Sequence, residues 1–197
     1  MIITADEAKG ILAPYINAFQ NCVLMGLSDY NSSYVKVRHI HSPYARAMLV
    51  RDHIIAQVRK EFDEVDGIKF INKRGLILLS IEEKIFVRFK KMNERMLTRN
   101  HPTLQSIRFS EQLSFEGFFT PTTNINVGYI PNDVWTEPRK ILITCPNGSN
   151  SNSWYIDISQ DNAVLLATVV PIEDRDLNIK KKRIHAKNTR SQASSQM

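Results

Sequence analysis

The segment "KIFVRFKK" at residues 84–91 alternates apolar residues with residues that could bind a polyanion. Successive side chains of a β-strand point to opposite faces, so an extended segment separates its residues into two sets. One set suits a core: Ile85, Val87 and Phe89. The other set would project cations around an aromatic ring: Lys84, Phe86, Arg88 and Lys90. Such cations can follow a phosphate backbone while a base stacks on the ring, which is the chemistry of nucleic-acid binding.

Further basic residues follow this segment. Between residues 84 and 108 the sequence holds a single acid, Glu94, and the additional cations Lys91, Arg95, Arg99 and Arg108. The candidate binding residues of the folded part are Lys84, Phe86, Arg88, Lys90, Lys91, Arg95 and Arg108. A structural alternative remains open, in which the cations face solvent and pair with acids of the C-terminal half while the helix that follows covers Phe86.

The tripeptide Glu82-Glu83-Lys84 has the Glu-x-Lys spacing of a metal-dependent nuclease. In such a site, carboxylates hold a metal that activates water and the lysine stabilises the charge that develops. The predicted order of helix, three strands, helix and strand over residues 43–130 resembles the core of restriction-endonuclease-like nucleases. That resemblance implies an acid on the middle strand, but residues 76–81 contain none, and Glu82 falls at a predicted turn. A noncatalytic relative of this fold is therefore favoured over an active nuclease with Glu82 and Lys84 as catalytic residues.

Three histidines are the candidates for a metal site. His39, His41 and His53 flank the start of a predicted helix and could offer imidazole ligands to zinc. A closed zinc site needs four ligands, and the sequence offers no evident fourth. The favoured interpretation is therefore that the three histidines bind no metal, two of them lying in a loop and one on the flank of a helix. No metal and no cofactor is predicted, because the nucleophile-elbow, phosphate-loop and dinucleotide-binding motifs are also missing from the sequence.

The charge of the chain is segmented. Its formal net charge is +6, and the residues after Ile179 contain no acid but six basic residues: Lys180, Lys181, Lys182, Arg183, Lys187 and Arg190. The preceding part is therefore balanced overall. The tail is either an arm for nucleic acid or for an acidic partner, or a solubilising terminus.

The helices are predicted from capping signals and apolar spacing. Thr4 and Glu7 form a capping-box pattern ahead of a helix at 5–25, which Pro14 should kink or break. Residues 26–42 are predicted as a loop with a short strand at 34–39. Ser42 and Pro43 begin a second helix that ends near 62, and a third helix is expected at 102–115.

The strands are predicted from short apolar runs between turn residues. Residues 68–72, 76–81 and 84–90 form a meander, and further strands are expected at 125–130, 139–145, 153–158 and 163–170. The polar run "PNGSNSN" predicts a hairpin between the second and third of this last group.

These elements predict an α+β protein with N-terminal helices packed on a largely antiparallel sheet. One domain is expected at 1–172, with a possible sub-boundary near 116–124, followed by a disordered basic tail at 173–197. Cys22 and Cys145 are expected to be buried thiols. The apolar runs are shorter than the roughly 20 residues of a membrane span, and the N-terminus lacks a signal-peptide pattern, so a cytoplasmic protein without a membrane partner is expected.

The combination of "RFKKMNE", "TLQSIRFSEQ", "GY", "ITCPNG" and a following tryptophan is similar to a group of uncharacterised small proteins of bacteria and their prophages. The similarity spans roughly residues 45–155 and carries no activity. It implies a bacterial or phage origin and a role in mobile-element regulation or phage–host conflict. The predicted function is noncatalytic binding of nucleic acid or of a protein partner, with self-association or a protein-interaction module without nucleic-acid contact as alternatives.

Overall fold

The computed structural model describes residues 2–73, 75–114 and 122–159, and this part of the chain forms an α+β fold. The helices are α1 (Ala5–Leu12), α2 (Ile16–Ser33), α3 (Pro43–Phe62) and α4 (Leu104–Ser110). The strands are β1 (Ile68–Lys73), β2 (Leu76–Ile81), β3 (Ile85–Lys91), β4 (Thr123–Pro131), β5 (Pro138–Pro146) and β6 (Asn152–Asp157). The predicted class, N-terminal helices on a largely antiparallel sheet, is confirmed.

The capping box predicted at the start of α1 is present. The Thr4 amide donates to Glu7 Oε2 at 2.7 Å, and the Glu7 amide donates to Thr4 Oγ1 at 3.3 Å. Pro14 lies in a 3-10 turn at Ala13–Tyr15 that separates α1 from α2. The predicted break is therefore confirmed. It occurs because proline lacks the backbone amide hydrogen that a continuous helix needs.

Helix α2 extends to Ser33, eight residues beyond the predicted helix end at residue 25. The prediction of a loop from residue 26 with a strand at 34–39 is therefore wrong. Leu27 and Tyr30 continue the helical spacing that begins at Val23, and all three side chains are buried. Residues 38–40 form a second 3-10 turn rather than a strand.

Helix α3 begins as predicted, because Ser42 Oγ accepts a hydrogen bond from the Ala45 amide at 3.2 Å and Pro43 follows it. It packs closely against α2 at Gly26. A Cβ atom at that glycine would lie 2.5 Å from Ile54 Cγ1 and 2.8 Å from the Ile54 backbone. The close crossing of the two helices therefore depends on the missing side chain.

The six strands form one sheet in the order β1-β2-β3-β4-β5-β6. All neighbouring pairs are antiparallel except β3 and β4, which are parallel and are connected through α4. The predicted meander of β1 to β3 and the hairpin of β5 and β6 are confirmed. The ladder between β2 and β3 covers only three residue pairs and ends at Leu79 and Val87.

The two faces of the sheet differ in what covers them. Helices α1 to α3 pack on the inner face, where most of the buried apolar residues form one cluster that includes both free cysteines. The shorter helix α4 covers part of the outer face, where Phe109 packs against Leu78 and Phe86. The predicted helix at 102–115 is correct in place but too long, since Gln112 has a φ of +57° just beyond its end.

The expected strand at 163–170, the basic tail and most of the possible sub-boundary near 116–124 lie outside the described residues. Among the helices of the described part, none combines the length and the apolar character that crossing a membrane requires.

Candidate anion-binding site

Strand β3 presents the alternation predicted from its sequence. Ile85, Val87 and Phe89 are buried in the inner core. Phe86, Arg88 and Lys90 consequently point to the outer face. Lys84 precedes the strand at the β2–β3 turn and is exposed.

The outer face of β3 is not the open basic surface that the alternation suggests. Phe86 is fully buried against Phe109 of α4, and Arg88 is only 3% exposed. A base cannot stack on Phe86 in this arrangement, because α4 covers the ring. The structural alternative is therefore correct for Phe86. The reason is topological: the chain must cross the sheet to place β4 parallel to β3, and α4 makes this crossing over Phe86.

Arg88 is a buried cation with hydrogen-bond and ring partners but no carboxylate. Its Nη2 donates to Asn100 Oδ1 at 2.8 Å, and its guanidinium lies 4.5 Å from the centre of the Phe109 ring. Its Nε has no partner, and no acid within the described ranges forms an ion pair with it. Burial, and then the charge of Arg51, lower the Arg88 pKa to about 10.

Two more cations lie close to Arg88. The Lys90 pKa is lowered to about 8, first by burial and then by the charges of Arg88 and Arg51. The side chain of Arg51 on α3 is 15% exposed and forms an ion pair with the neighbouring carboxylate of Asp52 at 3.3 Å. We call Arg51, Arg88 and Lys90 the cationic cluster. Because the β2–β3 ladder ends at Val87, β4 is the only described strand that pairs with β3 at Arg88 and Lys90.

A row of buried polar side chains continues from Arg88 across the outer face. Arg88 pairs in register with Asn126 on β4, and Asn126 pairs with Thr144 on β5. Adjacent strands lie about 4.8 Å apart, so these side chains are direct neighbours. Three of their atoms lack a hydrogen-bond partner: Arg88 Nε, Asn126 Oδ1 and Thr144 Oγ1. Buried polar atoms in proteins are nearly always satisfied, so this polar row indicates a place for water or ligand.

A cavity of about 250 Å³ has Asn126 of the polar row in its wall, whereas Arg88 and Thr144 do not line it. We call it the outer cavity. Its sides come from the β3–α4 loop, from α4 and from the loop of the β5–β6 hairpin. Polar residues that line it include Arg99, Asn100, Ser106, Ser110, Asn126 and Asn152. Because Asn100 is both a wall residue and the acceptor for Arg88, this hydrogen bond joins the cationic cluster to the cavity wall, although no member of the cluster lines the cavity.

Gln112 holds the walls of the outer cavity together. Its Nε2 donates to the Asn124 carbonyl at 2.8 Å and to the Pro146 carbonyl at 2.9 Å, and its Oε1 accepts from the Asn124 amide at 2.7 Å. The Gly148 amide donates to the Ser110 carbonyl at 2.8 Å. These bonds fix the end of α4 against β4 and against the hairpin loop.

The remaining predicted binding residues are dispersed. Lys84 forms an ion pair with Glu82 at 2.9 Å, and Lys91 faces the inner side, 5.3 Å from the centre of the Trp135 ring. Arg95 is exposed in the β3–α4 loop that also carries Arg99, and Arg108 is partly buried on α4. Lys180, Lys181, Lys182 and Arg183 lie outside the described residues. Among the predicted residues that the structure describes, Arg88 is joined to the outer cavity through Asn100, and Lys90 lies near Arg88. The structure adds Arg99 and Asn126 in the cavity wall and Arg51 near Arg88.

Glu82 and Lys84 do not stand in a metal site. Glu82 and Glu83 form a tight turn with φ values of 49° and 56°, and both carboxylates are engaged by surface lysines. Within residues 2–73, 75–114 and 122–159, no group of three or more His, Cys, Asp and Glu side chains could hold a metal ion.

The three histidines are likewise not gathered into a metal-binding group. His41 Nδ1 lies 3.0 Å from the Tyr30 hydroxyl. The Tyr34 ring contacts both His41, at 5.3 Å between ring centres, and His53, at 5.9 Å. His39 is exposed in the second 3-10 turn. Two of the histidines thus take part in an aromatic cluster at the α2–α3 connection.

Sequence reasoning missed the amide residues of the site. Asn124 and Asn126 alternate with apolar residues in a strand whose described side chains are all buried. Two amides at that spacing on a buried strand share a face, which was a readable signal of a polar row. Arg51 had no such signal, because its approach to β3 depends on how α3 crosses the sheet.

Comparison with known proteins adds no assignment: no family model matches the chain, and neither a curated protein nor a solved structure matches it significantly.

Proposed function

We propose that this is a noncatalytic nucleic-acid-binding protein of the bacterial cytoplasm, acting in a prophage or phage–host conflict system. Its contact surface is the outer face around the outer cavity. The observation that carries the proposal is the cationic cluster, in which Arg88 is buried, Lys90 is half-buried, and neither has a carboxylate partner in the described part of the chain.

Such a cluster favours a bound anion for an electrostatic reason. Each cation lost water on folding, and the pKa values of Arg88 and Lys90 fall because burial, and then the charges of neighbouring arginines, disfavour their charged forms. A phosphate close to them would offset both effects. With a Lys90 pKa of about 8, roughly nine in ten Lys90 side chains are still charged at about pH 7, so the site remains positive near neutrality.

Exposed cations extend the site towards a longer ligand. Arg99 lines the outer cavity, and Arg95 projects from the same loop. A phosphate chain that contacts both arginines would run along the β3–α4 loop, beside the cavity that Arg99 lines. A polymer of phosphates therefore fits the arrangement better than a small isolated anion does.

We further propose that the fold is a degenerate form of the restriction-endonuclease-like core. It is supported by a meander of three strands followed by a helix and a strand parallel to the third. Cleavage is not part of the proposal, because Glu82 lies in an exposed turn and is engaged by Lys84.

The test measures binding of the full chain to short fluorescent single strands and duplexes of DNA and RNA by anisotropy. If about three cations meet phosphates of a single strand, the logarithm of the association constant should fall with the logarithm of salt concentration with a slope of about −2. Replacing both Arg95 and Arg99 by glutamine should weaken binding and reduce the slope by about 1.4.

Two controls separate the site from general charge effects. The double variant Lys36→Gln and Lys60→Gln removes the same charge from exposed positions on the helical side and should bind as the wild type does. A variant with Lys180, Lys181, Lys182 and Arg183 changed to glutamine removes the tail contribution in the full-length chain. The proposal is wrong if no strand binds, or if the tail variant alone abolishes binding and the Arg95/Arg99 variant leaves it unchanged.

A further inference from the structure

The outer cavity has the size and chemistry of a small-ligand site. Its volume of about 250 Å³ is slightly below the roughly 300–1,000 Å³ of typical ligand pockets, which suits one small ring system rather than an extended cofactor. Amide and hydroxyl groups dominate its wall, and Leu97 and Ile107 contribute apolar surface.

Asn126 gives the cavity a specific recognition group. The residue is 2% exposed, and its Oδ1 has no partner. A side-chain amide places an acceptor and two donors in one plane, the pattern with which asparagine binds the edge of a nucleobase. Its register neighbours are Arg88, whose Nε has no partner, and Thr144, whose Oγ1 has no partner, but neither of them lines the cavity.

The charge around the cavity adds a second requirement for the ligand. Arg99 lines the opening, and Arg88 is joined to the wall through its bond to Asn100. No carboxylate lines the cavity among the described residues. A suitable ligand therefore combines a planar hydrogen-bonding edge with negative charge.

We infer that the outer cavity binds a single nucleotide unit, with the base edge at Asn126 and the phosphate towards Arg99. The inference rests on the proposed function and names the unit that the site recognises. A nucleotide turned out of a single strand and a free nucleotide share this chemistry, and the experiment distinguishes them.

The test is calorimetric titration of the full chain with AMP, CMP, GMP and UMP, with ribose 5-phosphate as the ligand that lacks a base. At least one mononucleotide should bind about tenfold or more tightly than ribose 5-phosphate, since one bidentate contact between an amide and a base edge discriminates by roughly five- to 150-fold. Asn126→Leu and Asn126→Asp should both abolish that margin.

Both Asn126 variants are expected to fold, so a loss of binding can be attributed to the changed side chain. Leucine replaces an unsatisfied amide by an apolar group of similar size, which is close to neutral for stability, and aspartate keeps the shape beside Arg88. Asn72→Leu, the same change at an exposed position on β1, should bind every ligand as the wild type does.

Each outcome has a separate meaning. Equal binding of the four mononucleotides and ribose 5-phosphate, or unchanged binding by both Asn126 variants, overturns the inference. If single strands bind with the expected salt slope and Asn126→Leu changes neither affinity nor base preference, the inference fails while the proposed function stands. If mononucleotides bind through Asn126 and strands do not, the ligand is a free nucleotide and the proposed function fails.

Discussion

Replacing Lys90 by methionine should stabilise the protein near neutral pH and lose that advantage in alkali. The Lys90 pKa falls from 10.5 to about 8, first because of burial and then because of the charges of Arg88 and Arg51. A fall of this size corresponds to about 3 kcal/mol of unfavourable ionisation, and partial solvent contact reduces it to about 1–2 kcal/mol. Methionine keeps most of the apolar stem and removes the charge.

The pH dependence follows from the direction of the shift. The unfolded chain binds the Lys90 proton more tightly than the folded chain does, so the penalty is fully present below about pH 8 and is relieved as pH rises to about 10.5. The stabilising effect of Lys90→Met, about 1–2 kcal/mol at about pH 7, should therefore shrink towards zero over this interval.

Urea unfolding followed by the fluorescence of the buried Trp135 and Trp154 would measure the effect across this pH range. Subtracting the unfolding free energy of the wild type from that of the variant at each pH cancels the contributions of tyrosines, cysteines and other lysines that titrate in the same range. Lys60→Met, at an exposed position on α3, should show no such pH dependence. The reasoning is refuted if Lys90→Met is less stable than the wild type at neutral pH, or if its gain in unfolding free energy is constant with pH. Either result would mean that the charge of Lys90 is not destabilised in the folded protein.

Two further predictions concern stability and are measured by thermal and urea unfolding. Gly26→Ala should destabilise the protein by about 1–3 kcal/mol or more, because the added Cβ would lie 2.8 Å from the Ile54 backbone. Gly10→Ala on α1, where nothing lies within 4 Å of the added Cβ, should instead stabilise the protein by about 0.5–1 kcal/mol. Similar effects at both glycines would contradict the close crossing of α2 and α3. Changing Glu82-Glu83 to Asn-Gly should stabilise by about 0.5–1 kcal/mol in high salt, since both residues have positive φ, and a Gln-Gln control at the same positions should not.

Local signals in the sequence predicted the local structure. Pro14 divides the first helical region, Ser42 caps α3, and the alternation in β3 is present as expected, because each depends on neighbouring residues alone. The same reasoning failed at residues 26–39, where Gly26 and several polar residues suggested a loop. There the burial of Leu27 and Tyr30 under the tertiary fold outweighs the weak local helix preference.

The candidate site could be predicted only in part, because its members come from distant parts of the chain. Arg88 and Lys90 were singled out correctly as outer-face cations, but the burial of Arg88 depends on how the β3–α4 loop brings Asn100 to it. The register that aligns Arg88 with Asn126 requires a parallel pairing of β3 with β4. No pattern within a single segment specifies that register.

The polar row links the stability of the fold to its proposed binding role. Each unsatisfied buried polar atom costs about 1–3 kcal/mol, a large part of the stability of a typical domain, and apolar residues at Asn126 and Thr144 would avoid that cost. A ligand in the outer cavity that satisfies Asn126 Oδ1 binds the folded state alone and must therefore raise the unfolding temperature with its concentration. The shift expected for the right ligand should disappear in Asn126→Leu, whose own stability without ligand should equal or exceed that of the wild type. A polar row that serves only the fold would give the opposite result, because removing the amide would then destabilise the protein.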